Sequence, residues 1–395
     1  MKIVIAPDSY KGALSAQAAA VAMEKGIVRA FPHAITIKCP MGDGGEGTLD
    51  ALVSSTGAAV FHTEVVDAFG GSRRAAWGWH SASSTAYVEL AEACGLQYVD
   101  VEKNSIYRST TYGVGQLINQ ALNKGAKSLV ITLGGSATND AGAGMLVALG
   151  GKLLDKEGSE LPPVTESLFK LDKVDLSGLD QRLKDLQVVA AVDVDNPLLG
   201  ANGASAIYGP QKGASPADVS VLDALLANFS QKVSEVTGVD VSDFPGAGAA
   251  GGMGYAAMAF LKATLKPGID VVMQQVNFNN HLNDADLVIT GEGRLDGQSL
   301  AGKTPIGIAR LASERDIPVV IIAGQLGEGW RASYSQGVSA AFSLVDGPMS
   351  LAEAIEKADQ LLSDRCESII RLFHASSLSH CKLTKSIKEG FIIYS

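Results

Sequence analysis

The chain has 395 residues, 46% hydrophobic and 19% charged, a composition that fills packed cores and excludes disorder along its whole length. Thirty-two Lys and Arg against 42 Asp and Glu give a formal net charge of −10, which excludes a general role in the groove of a nucleic acid duplex. Four cysteines without a Cys-x-x-Cys pair and six histidines without a His-Glu-x-x-His pair leave disulfide scaffolds, zinc ribbons and His-ligated metals unsupported.

Residues 2–6 form a short β-branched run ended by Pro7 and Asp8, fit for a strand buried on both faces and too short for a secretory signal. After a loop over 7–14, Ser15 is a natural N-cap for a helix whose Ala20, Met23, Ile27, Ala30 and Phe31 recur at helical spacing. Ile35, Ile37 and Cys39 alternate as a second strand; 40–47 is loop; Leu49, Leu52 and Val53 begin a second helix. Further along come a hairpin of strands over 60–66 and 72–80, a helix over 114–123 and a strand over 128–133. A helix over 141–150, a strand over 186–193 and a helix over 253–265 follow. Near the other end the first pattern returns, with strand 286–290, loop 291–304, helix 305–313 and strand 318–322.

The simplest architecture is α/β: one parallel-sheet domain built from both termini, residues 1–62 with 284–373, and an inserted α/β domain over 63–283. Residues 374–395 are basic in an acidic chain and end on Phe391-Ile392-Ile393, which reads as a loosely docked tail. The longest uncharged stretch, 244–261, holds five glycines in 18 residues and is too weakly apolar for a membrane span. A soluble cytoplasmic protein is expected, with no membrane or nucleic acid partner.

Ligands of open α/β sheets bind outside the carboxyl ends of the strands. Asp8 and Lys11 follow the first strand, Asp43 and Glu46 the second, and Glu292, Arg294, Asp296 and Lys303 a third. Carboxylates and cations interleaved with glycine suit Mg²⁺ and phosphate. Gly246-Ala247-Gly248-Ala249-Ala250-Gly251 spells a dinucleotide fingerprint, but Asp243-Phe244-Pro245 precedes it instead of a strand. An anion-facing turn and close helix packing both stay open there. Residues 297–304 spell a Walker A motif, with six residues between the expected strand end and Gly297, so a P-loop fold is not expected. In 133–140, Gly134, Gly135, Ser136 and Asp140 could bind an anion at a helix start, or Asn139 or Asp140 could simply cap the helix. Asp193 and Asp195 share one face of an extended backbone. Lys212 lies in a turn before a helix capped by Ser215 and is expected in solvent.

Seven strings in this order resemble the type I glycerate kinases: Ala6-Pro7-Asp8-Ser9-Tyr10-Lys11, Asp43-Gly44-Gly45-Glu46-Gly47-Thr48, Gly134-Gly135-Ser136-Ala137-Thr138-Asn139-Asp140, Asp195-Asn196-Pro197-Leu198, Gly209-Pro210-Gln211-Lys212-Gly213-Ala214, residues 246–252, and Thr290-Gly291-Glu292-Gly293-Arg294. The resemblance covers about residues 1–371. It implies ATP-dependent phosphorylation of D-glycerate at the 2-hydroxyl, giving 2-phosphoglycerate. It also implies a flavodoxin-like domain, an inserted domain resembling restriction endonucleases, and substrate in the cleft between them; a homo-oligomer is compatible with it. Under it, Lys11, Arg294 and Lys303 offset the charge of triphosphate and glycerate. Asp193 is the base, with Asp43 and Lys11 beside it in catalysis. Glu46 and Glu292 are the candidate Mg²⁺ ligands. Asp8, Ser9, Gly134, Gly135, Ser136, Asp140, Lys212, Gly248 and Gly251 contact substrate or phosphate. Gly42, where the family more often has a small side chain, and the segment after about residue 374 depart from the pattern. The rival readings are a nicotinamide oxidoreductase using the 246–251 glycines and a non-catalytic sensor of small acids.

Overall fold

A computed structural model describes residues 1–390, with side chains for 1–300 and 302–375. Its strands in chain order are β1 (Lys2–Ile5), β2 (Ile35–Lys38), β3 (Ala59–Val66), β4 (Ser72–His80), β5 (Thr85–Glu89), β6 (Ser128–Thr132), β7 (Lys152–Leu154), β8 (Lys173–Asp175), β9 (Gln187–Ala191), β10 (Thr264–Lys266), β11 (Leu287–Leu295), β12 (Val319–Leu326) and β13 (Ala340–Ser343). The chain is mixed α/β and divides into two units, Met1–Met41 with the chain from Asn277 on, and Gly42–Val276.

In the first unit the β-branched runs of β1, β11 and β12 are buried on both faces, as a parallel sheet covered by helices requires. The sheet order is β13-β12-β11-β1-β2, and every pairing is parallel. The order reverses between β1 and β11, the switch point at which such sheets open a crevice. Helix Ala16–Ala30 starts where expected, with Ser15 Oγ accepting the Ala18 N–H. It buries Ala19, Ala20, Met23 and Ile27 in the core shared with Leu362, Cys366 and Ile370 of helix Ala358–Gly390. That helix carries the backbone through residue 390, so the segment read as a loosely docked tail is helical as far as it is described. Phe391, Ile392 and Ile393 lie outside the described residues.

The second unit holds a six-stranded sheet, β10-β9-β6-β5-β4-β3, and a separate β7-β8 ladder. The β3–β4–β5 part is antiparallel, and Asp67 closes the hairpin by accepting the N–H groups of Phe69 and Gly71. From β5 to β10 the sheet is parallel, so the carboxyl ends of β5, β6, β9 and β10 share one edge. Glu89, Thr132 and Ala191 form one rung across it.

Three of the segments read from the sequence differ in the structure. The helix beginning near Leu49 is Thr48–Thr56, and its contacts are with the second unit: Val53 lies against Gly78 of β4, and Glu89 of β5 holds its first turn. The units accordingly divide at 41/42 and 276/277, where the sequence reading drew joins at 62/63 and 283/284. Residues 264 and 265, read as the end of a helix, belong to β10, because Lys262 takes a left-handed conformation that ends helix Ala249–Leu261. Residues 291–295, read as loop, continue β11 in register with β12 despite two glycines and two charges, since β12 supplies the partner. Among the described residues no helix is long and apolar enough to cross a membrane.

Candidate functional site

Each unit gathers sequence-predicted residues on one carboxyl edge. In the first unit the loop after β1 is tied to β11 by the Asp8 N–H, which donates to Gly291 O at 2.8 Å. Asp8 Oδ1 accepts the Ser9 N–H and Oδ2 accepts the Thr304 hydroxyl, both at 2.6 Å. The carboxylate thus links its own loop to the start of helix Thr304–Ser313, whose N-cap is Lys303. The Lys11 backbone passes beside Gly293, 3.5 Å from where a side chain there would begin. Tyr10 is buried, donates to Ile322 O at 2.6 Å, and its phenol is held well above its usual pKa, chiefly by burial. Arg294 Nε pairs with Asp296 Oδ2 at 2.8 Å, but the arginine is 60% exposed, so the pair contributes little to stability. Asp8, Ser9, Lys11, Glu292, Arg294 and Lys303 all lie on loops and strand ends around the β1/β11 switch point.

The Walker-like segment lies on this edge too. Because β11 runs to Leu295, one residue and not six separates the strand from Gly297. Its backbone is nonetheless not a phosphate cradle. The N–H groups of Gly297, Gln298, Ser299, Gly302 and Lys303 all have acceptors inside the protein, whereas a P-loop aims such groups at the phosphates.

In the second unit four loops converge over the ends of β6, β9 and β10. The Gly134 N–H donates to Gly44 O at 3.2 Å, and a side chain at Gly134 would begin 2.6 Å from Gly45 Cα. Asp193 Oδ1 accepts the Gly268 N–H at 2.7 Å, a bond at the N-terminus of helix Gly268–Gln275. Gly268 in turn lies flat on the backbone of Asp43: a Cβ there would overlap the Asp43 carbonyl. The Asp43 backbone and the Asp193 carboxylate therefore both contact one glycine. Glu46, next in the Asp43 loop, is exposed. Among the described residues no three His, Cys, Asp or Glu side chains group as a metal cage.

Other predicted residues are turned inward. Lys212, expected in solvent, is 1% exposed and donates from Nζ to Ser136 Oγ and to Thr138 O, each at 2.7 Å. Burial lowers its pKa to about 8, against the opposing pull of Cys94 and Asp140. Asp140 is fully buried and accepts the N–H and hydroxyl of Thr111 and the N–H groups of Gly142 and Gly144. Burial raises its pKa while these donors lower it. Both side chains fix the 134–140 loop from beneath. Gly248 and Gly251 brace the same region: a Cβ on either would overlap the carbonyl of Pro197 or Thr138. Gly248 donates to Asn196 O, and Gly251 O accepts the Ala141 N–H. Close backbone packing therefore explains this glycine cluster.

Two residues absent from the sequence reading belong to this edge. Gly268 carries no sequence signal beyond the preceding Pro267. Glu89 does, as a carboxylate closing the buried run Thr85–Glu89. It is 3% exposed, and its oxygens accept the N–H groups of Gly47 at 3.1 Å and Leu49 at 2.9 Å. Burial raises its pKa from 4.5 to about 7. A carboxyl raised on folding stabilises the fold most at low pH and loses that contribution as pH climbs through the folded value. From about pH 4.5 to 7 the wild-type fold is therefore expected to lose on the order of 3 kcal/mol relative to Glu89→Gln. Denaturation midpoints across that range check this, and parallel pH slopes for the two proteins would refute it.

Against known proteins, the model of the glycerate kinase family matches residues 3–374. The chain is 48% identical over 358 residues to the glycerate 2-kinase of Escherichia coli (strain K12), covering 91% of this chain and 94% of that one. It is 46% identical over 369 residues to the glycerate kinase of Bacillus subtilis (strain 168), covering 93% and 97%. A crystal structure assigned to a glycerate kinase 2 of Salmonella typhimurium LT2 superposes with a TM-score of 0.87 at 41% identity, covering 96% of this chain and 99% of that one.

Proposed function

The chain belongs to the glycerate kinase family, and from that we propose that it transfers the γ-phosphoryl group of ATP to the 2-hydroxyl of D-glycerate, giving 2-phosphoglycerate and ADP. The observation that carries the reading is the convergence of Asp43, Gly134, Asp193 and Gly268 on one edge of the second unit. In this reading acceptor and nucleotide meet in a cleft between the two units, as the family resemblance implies, and the first unit is flavodoxin-like with a restriction-endonuclease-like insert.

Phosphoryl transfer needs in-line positioning and charge compensation more than covalent help from the protein. Asp193 accepts the proton of the attacking hydroxyl as its oxygen bonds to the γ-phosphorus and the bridging oxygen leaves with ADP. The bond from the Gly268 N–H keeps that carboxylate aimed. Asp43, braced by Gly268, orients the hydroxyl. Lys11, Arg294 and Lys303 offset the charge of the triphosphate and of the glycerate carboxylate. Asp8, bonded to Ser9 and Thr304, fixes the loop that bears Lys11. Lys212 and Asp140 act from below, holding Gly134, Gly135 and Ser136 in place, and Gly248 and Gly251 let the neighbouring backbone close on them.

Mg²⁺ commonly binds through one or two carboxylates plus phosphate oxygens and water, so the absence of a three-ligand cage among the described residues is compatible with it. Glu46 and Glu292 are the side chains that would hold it. Bound there with ATP, it would neutralise phosphate charge.

Turnover of D-glycerate and ATP, followed by coupled ADP release and by ³¹P NMR of the product, tests the reading. Activity should vanish with excess EDTA and return with Mg²⁺, and the product should be the 2-phosphate. Formation of 3-phosphoglycerate would overturn the regiochemistry, and no ADP release would overturn the reaction.

A further inference from the structure

Glu89 sits where a carboxylate is costly. It is 3% exposed at the end of β5, on the rung shared with Thr132 and Ala191. The charges that face it are Glu92 and Asp50, both of its own sign, and its two bonds go to backbone N–H groups and not to a cation. A buried anion without a cationic partner lowers stability, and a serine or asparagine N-cap would hold a helix at less cost.

What Glu89 holds explains its presence. Helix Thr48–Thr56 begins after Gly47, which has a left-handed φ of 87° and, as glycine, no side chain to cap the helix. Glu89 supplies the missing acceptor from a different element, binding the N–H groups on both sides of Thr48. Thr48 in turn accepts the Gly44 N–H at 3.1 Å through Oγ1. The chain of bonds runs from the sheet through Glu89 and Thr48 to the residue next to Asp43. We infer that Glu89 is a positioning residue for phosphoryl transfer: a buried carboxylate clamp that ties the 43–49 loop, and with it Asp43, to the end of β5. This rests on the reading of Asp43 as the residue that orients the acceptor hydroxyl.

The clamp is strongest when ionised, because a carboxylate accepts both N–H groups while a neutral acid presents one weakened oxygen. Full-length Glu89→Gln is the direct test, since the amide keeps the volume and loses one acceptor. Its kcat for D-glycerate is expected to fall about 10–100-fold with KM for ATP within about threefold. Hydrogen exchange at the amides of 43–49 should quicken at least about tenfold while those of β6 stay protected. Unchanged exchange at 43–49 would overturn the clamp, and faster exchange with kcat within about twofold of wild type would overturn its role in transfer.

Should Glu89→Gln fail to fold, the wild-type protein decides. At pH 8 the Gly47 and Leu49 amides, whose N–H groups Glu89 accepts, should exchange at least about tenfold more slowly than the neighbouring Glu46 amide, after correction for intrinsic exchange; equal protection would refute the clamp. If wild-type protein turns over no glycerate, the kinase reading fails and the exchange data still judge the clamp.

Discussion

Asp193→Asn is expected to lower kcat for glycerate phosphorylation by about 10²–10⁴-fold, with KM for glycerate changing by less than about fivefold. The amide is a near-isostere whose oxygen can still accept the Gly268 N–H, the bond that Asp193 Oδ1 makes at 2.7 Å. Asp193 is also exposed, so the thermal midpoint should move by only a degree or two, as for most surface substitutions. What the variant lacks is a site for the hydroxyl proton. Steady-state kinetics at saturating ATP measure the loss, and a variant that retains wild-type kcat would remove Asp193 from the chemistry.

The second large effect is expected from Gly268→Ala, at an uncharged residue that a sequence reading does not select. The new methyl group would overlap the Asp43 carbonyl and reach within 2.7 Å of the Gly44 nitrogen. Both are backbone atoms and cannot rotate away. Either the 43–45 loop or the start of helix Gly268–Gln275 must move; the first carries Asp43 and the second donates the N–H that Asp193 accepts. Overpacking of this kind costs about 1–3 kcal/mol, and a displacement near 1 Å at a reacting group costs about 10²-fold in rate. Gly268→Ala should therefore lose both stability and at least about 100-fold in kcat, read by thermal denaturation and the coupled assay. A variant as active as wild type would show that the contact between Gly268 and Asp43 has no bearing on turnover.

These two residues differ in how visible they are in the chain. Asp193 follows a recognisable apolar run, and its acidic character at a strand end was enough to single it out. Gly268 was invisible, because its importance comes from a backbone more than 200 residues away in sequence. Glu89 lies between these cases. Its place at the end of a buried run was legible, but its partners Gly47 and Leu49 come from another element.

Lys212 shows the limit of local inference most clearly. A lone lysine in a turn is normally solvated, and only the arrival of Ser136 and Thr138, 76 and 74 residues earlier, turns its ammonium into the core. The 246–252 glycines behave alike: the spelling admitted an anion site or close packing, and contacts with Thr138 and Pro197 decide for packing.

From the chain alone came the features that depend on near neighbours. These are the alternation of strands and helices, the Ser15 and Ser215 caps and the ordered strings that mark the family, each encoded within a few residues. Folding in three dimensions settled the rest: the extension of β11 beside β12, the unit to which helix Thr48–Thr56 belongs, and the inward turn of Lys212 and Asp140. Each of these turns on burial or on a hydrogen bond between distant segments, and such energies exist only once the chain has brought those segments together.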